Sequence, residues 1–93
     1  MATSSDAIDA LVRSGVQLDD LAVSALDCGA FGVVLVDAIG LADEQQAVLT
    51  ADVLRDVRDA CEHDCVFRPG SNEPKLIRDA LQRIEERSAA AAA

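Results

Sequence analysis

Asp27-Cys28-Gly29-Ala30-Phe31-Gly32-Val33-Val34-Leu35-Val36-Asp37-Ala38-Ile39-Gly40 is the stretch on which the fold of this 93-residue chain turns. Val33 to Val36 is apolar and rich in β-branched residues, which by propensity favours a short buried strand. Read as a helix, the same stretch places Phe31, Val34, Leu35, Ala38 and Ile39 on one stripe closed by Gly40. Periodicity does not arbitrate over so few residues. The flanks do: both sides carry helical patterns, and a lone strand would leave its backbone donors and acceptors without partners. The expectation is therefore an all-α fold, a small bundle of four to five short helices. The alternative is an α+β fold with a short buried strand near residues 31–36.

On the N-terminal side, Ser4 or Ser5 is suited to cap a first helix, with Asp6 and Asp9 in its opening turns. Ile8, Leu11 and Val12 form its apolar stripe, and Gly15 stands where a helix commonly stops. A second helix fits Leu18 to about Leu26, with Leu18, Leu21, Ala22, Ala25 and Leu26 on one face. On the C-terminal side, Asp43 can cap a short helical piece through Leu49, and Thr50 a longer one through about Glu62. Val53, Leu54, Val57, Ala60 and Cys61 give that helix an amphipathic face. Arg68 to Asn72 is a turn by composition. A last helix begins at Ser71 or Asn72, tolerates Pro74 in its first turn, and buries Leu76, Ile77, Ala80, Leu81 and Ile84. Residues 1–87 make one helical domain, and 88–93 an alanine-rich tail that is either a fraying extension of the last helix or an added remnant.

Leu26 to Gly40 also resembles the opening strand and turn of a PAS sensor domain, in which an apolar strand after a glycine ends in Asp-x-x-Gly. The resemblance covers 15 of the 93 residues and implies a strand here. The sequence departs from that family at once. Leu41 to Leu54 is helix-like where a PAS domain continues into a second strand, and too little chain remains for the other strands. No functional residue is carried over.

Charge is distributed unevenly. Residues 1–54 carry nine acids and one base, Arg13, whereas residues 55–93 carry eight acids and seven bases. Nearly all of the net charge of −9 thus belongs to the first half. Such a field attracts basic partners and repels polyanions. With a pI near 4.2, direct nucleic-acid binding through phosphate neutralisation is disfavoured, and so is an anionic membrane surface. Two phenylalanines and no Trp or Tyr leave no platform for stacking bases. No apolar run approaches the roughly 20 residues of a membrane span. The first residues, Met1 to Asp6, lack the pattern of a signal peptide, which points to a cytoplasmic protein.

Three side-chain constellations invite a chemical reading. Cys28, Cys61, His63 and Cys65 formally supply a Cys₃His zinc set. On a continuous helix, however, His63 points away from Cys61 and Cys65, and Cys61 continues an apolar stripe. The expectation is core or half-core cysteines with no metal, and Glu62 and Asp64 should raise the thiol pKa values. His63 has no evident nucleophile or orienting partner, so no catalytic residue is assigned and the chain is not read as an enzyme. Asp19, Asp20, Asp27, Asp37, Asp43 and Glu44 are the candidate partner-binding residues.

The function expected is a small acidic, non-catalytic protein–protein interaction, regulatory or assembly module. It needs no cofactor and acts on another, basic protein; a homodimer is compatible with it. The alternatives are an acidic nucleic-acid mimic that inhibits a basic partner, and a metal or small-ligand sensor built on the cysteines and His63.

Overall fold

A computed structural model describes residues 2–65, 67 and 69–92; Met1, Arg68 and Ala93, on which some of the expectations above touch, lie outside the described residues. Five helices follow one another among those residues: α1 Ser4–Arg13, α2 Asp20–Asp27, α3 Phe31–Glu44, α4 Ala51–Asp64 and α5 Glu73–Ala92. No strand occurs among them, so Val33 to Val36 is helical and the PAS-like and α+β expectations are overturned. The cause is burial. Val34, Leu35, Val36, Ala38, Ile39 and Ala42 are all buried, and α3 packs against each of the other four helices. A helix that is apolar most of the way round belongs in a core. There, packing outweighs the β propensity of three valines.

The helix ends follow from local chemistry. The side chains of Thr3, Asp19 and Thr50 cap α1, α2 and α4 by accepting the backbone N–H three residues on. Thr3, not Ser4 or Ser5, caps α1 because Asp6 completes the reciprocal box: its carboxylate accepts the Thr3 N–H at 3.2 Å. Ser4 is instead fully buried, donating its N–H to the Asp64 carboxylate at 2.8 Å and its hydroxyl to the Asp64 carbonyl at 3.2 Å. These bonds clasp the start of α1 to the end of α4.

Gly15 and Gly29 end α1 and α2 at positive φ, as C′ glycines do. Helix α3 does not stop at Gly40. It continues to Glu44 and closes in the same way on Gln46 at φ 56°, with Ala47 N–H bonded to Ala42 C=O at 2.9 Å and Gln46 N–H to Asp43 C=O at 3.1 Å. Asp43 is therefore inside α3 and caps nothing, and residues 47–50 are not helical.

The core is aliphatic, with Leu11, Leu35, Ile39, Ile84, Val34 and Val57 its largest fully buried hydrophobic side chains. The radius of gyration of 12.2 Å matches the ~12 Å of a compact domain of this length, so a core without aromatics has not left the fold loose. Four stripe residues are exposed instead, Val12, Leu21, Phe31 and Leu76, with Leu21 at 73% and Leu76 at 56% the most.

Helix α5 runs through the alanine segment, and Ser88 is buried within it. Its hydroxyl accepts the buried Leu49 N–H at 2.9 Å. Ser88→Ala leaves that donor unpaired and is expected to lower the unfolding free energy by about 1 kcal/mol. Urea denaturation measures this; a change below about 0.3 kcal/mol would contradict the assigned role of this bond.

Candidate docking face

Val36, Gly40 and Glu44 recur at i, i+4 and i+8 along α3 and form a ridge that runs from buried Val36 to exposed Glu44. A shallow groove of about 260 Å³ borders the ridge toward α2, where Asp19, Leu21, Asp37 and Leu41 complete it. A second groove of about 290 Å³ borders it toward α5, with Glu73, Leu76 and Arg83 among its walls. The floor is low at Gly40 because that residue has no side chain. Leu21 and Leu76, the two most exposed large hydrophobic residues among those described, stand on either side.

Three of the six candidate acids, Asp19, Asp37 and Glu44, are brought together around the α2 groove. Asp19 has a second task as the cap of α2, accepting the Ala22 N–H at 2.8 Å. Asp20 and Asp27 are exposed at opposite ends of α2 and line neither groove. Asp43 is turned inward. Its side chain is only 16% exposed and meets Arg83 Nη2 at 2.8 Å and Arg87 Nη2 at 3.2 Å. The hydrogen bond from Arg83, reinforced by that from Arg87, outweighs desolvation and holds the Asp43 carboxyl below its ordinary range. Asp43 thus fastens α3 to α5, a role that its place in the sequence gave no sign of. Leu21 and Leu76 were assigned to the core. Both are exposed instead.

The cysteine–histidine set is dispersed. Cys28 is exposed at the C-terminus of α2, whereas Cys61 and Cys65 are half-buried, the latter at the C-cap of α4. His63 lies on an exposed face with Nε2 3.5 Å from Asp59 Oδ1. Among the described residues, no three His, Cys, Asp or Glu side chains converge in a way that could hold a metal ion. Cys61 and Cys65 do hydrogen-bond to each other, and the bond divides their behaviour. The thiol of Cys61 is pushed down chiefly by its hydrogen bond with Cys65, in spite of burial and of Glu62. The thiol of Cys65 is pushed up, chiefly by the same hydrogen bond and next because it is buried, with Asp64 adding to the effect. The acids were expected to raise both; at Cys61 the hydrogen bond prevails.

Among the described residues, no helix is long and apolar enough to cross a membrane. The fold is a small helical bundle, and on one side of α3 the leucines Leu21 and Leu41 line a groove together with the acids Asp19, Asp37 and Glu44. Comparison with protein-family models, with curated proteins and with solved structures found no match to the chain.

Proposed function

We propose that this chain is a small non-catalytic docking module that binds a basic, amphipathic helical segment of another protein across the α3 ridge. The observation that carries the proposal is the placement of Leu21 and Leu76, exposed on either side of Gly40, with Asp19 and Glu44 at the rim. An apolar stripe on the partner covers the two leucines, and Lys or Arg beside that stripe meet the carboxylates. A phosphate-backbone mimic would present charge without an apolar floor, and Asp43, Asp20 and Asp27 do not join the cluster. The acidic-docking reading is therefore preferred to mimicry.

Gly40 supports the same reading. It sits within a helix, where glycine costs about 1 kcal/mol relative to alanine. Yet a Cβ built at Gly40 meets nothing within 4 Å. Packing within the chain does not call for a glycine, whereas close approach of a partner helix does. Gly40→Ala is expected to raise stability by about 0.5–1 kcal/mol. Gly40→Gln should keep the fold and fill the cleft. Its affinity for an amphipathic Leu/Lys helical peptide is expected to fall about tenfold or more, with Ala89→Gln on the opposite side of α5 as a control that binds normally. Titration calorimetry distinguishes the outcomes. Equal affinity for the native chain and Gly40→Gln, at matched thermal midpoints, would rule out this face.

A further inference from the structure

The groove between the end of α4 and the start of α5 has a chemistry of its own. It encloses about 410 Å³, and Phe67, Ile77 and Leu81 form apolar walls. The Cys61 side chain opens into it, and the guanidinium-bearing Arg58 and Arg78 line it. Arg58 pairs with Glu85, while Arg78 has no ion-pair partner among the described residues. Glu62 is the acid in this wall. Behind Cys61, one helical turn on, stands Cys65, the C-cap residue of α4. A half-buried thiol on a small cavity lined by two arginines is a setting in which an anionic reagent is held beside the sulfur. Cys28 provides the contrast within the same molecule: an exposed thiol next to Asp27, in the half that carries almost all the negative charge.

We infer that Cys61 is a thiol-modification site selective for small, carboxylate-bearing disulfides, which Arg58 and Arg78 orient in the cavity. The Cys61 thiolate attacks one sulfur of the reagent, and the S–S bond of the reagent breaks. The departing thiolate takes up the proton that Cys61 released, so one thiol and one disulfide give one mixed disulfide and one small thiol. The mixed disulfide persists. On a regular helix, Cβ atoms four residues apart are separated by about 5–6 Å, against the roughly 3.5–4.5 Å that a disulfide requires. Attack by Cys65, the C-cap residue of α4, would have to draw the end of that helix out of place, which the Asp64–Ser4 clasp opposes.

The test treats the full chain separately with oxidised glutathione, which is anionic, and with cystamine, which is cationic, and follows each cysteine by peptide mass mapping. For each cysteine the rate with oxidised glutathione is divided by the rate with cystamine. The ratio for Cys61 is expected to exceed that for Cys28 by about tenfold at low ionic strength, the gap narrowing as salt is added. Arg78→Gln should reduce the Cys61 ratio several-fold and leave the Cys28 ratio unchanged, with the fold verified by circular dichroism. Equal ratios at the two cysteines, or a Cys61 ratio indifferent to Arg78→Gln, would overturn the assignment. Rapid conversion of the Cys61 adduct to a Cys61–Cys65 disulfide would overturn its persistence.

Discussion

Leu35→Ala is expected to destabilise the protein by about 3–4 kcal/mol. Leu35 is fully buried on α3, the one helix in contact with all the others. The substitution therefore opens a cavity inside the core, on the helix that the others pack against. A domain of this size has only roughly 5–10 kcal/mol of stability in total, so about half of it should be lost. The thermal midpoint should fall by about 15–25 °C. Val33→Ala is the informative partner experiment. On a strand, residues 33 and 35 share a face; on this helix Val33 is 44% exposed while Leu35 is enclosed. Val33→Ala should cost under about 1 kcal/mol. Equal losses at the two positions in calorimetry would contradict the helical assignment of this stretch.

Asp43→Ala is expected to cost about 2 kcal/mol, because the largely buried carboxylate receives charge-assisted hydrogen bonds from two arginines of α5. The same pairing dictates a pH dependence. The folded-state pKa of Asp43 lies below its unfolded value, chiefly because of the hydrogen bond from Arg83. Its contribution is thus fully present above the unfolded pKa of about 4 and is lost as the pH falls through the lower folded value. Asp64, lowered by the bonds from the Ser4 N–H and hydroxyl, acts in the same direction. Stability followed by urea denaturation should decline below about pH 4 in the native chain, and less steeply in Asp43→Ala. An acid limb of unchanged slope in the variant would contradict the role assigned to this pair.

The elements with one apolar face were legible in the sequence. The stripe through Val57 and Ala60, the cap at Thr50 and the stop at Gly15 all appear in the structure, because each rests on interactions within one or two turns. The capping box Thr3-x-x-Asp6 was equally local and was passed over in favour of the adjacent serines. The end of α3 was not legible. Gly40 has the residue type of a stop but lies mid-helix, while Gln46 adopts the left-handed conformation with no residue-type signal to announce it. What remained hidden depends on packing between helices. Nothing near Asp43 in the sequence announces arginines 40 and 44 residues later. Nor does a stripe position reveal that Leu21 and Leu76 stay exposed in the folded chain. Half of the candidate acidic cluster came together, and the apolar half of the face emerged only from the fold.

The most direct test of the docking face is an NMR titration of the ¹⁵N-labelled chain with the amphipathic Leu/Lys peptide at low and at moderate salt. The expected result is that amide shift changes concentrate on Leu21, Val36, Gly40, Glu44 and Leu76, and weaken as salt is added. Changes centred on the groove between α4 and α5, or no changes at either salt concentration, would contradict the proposal that this face docks a basic helix.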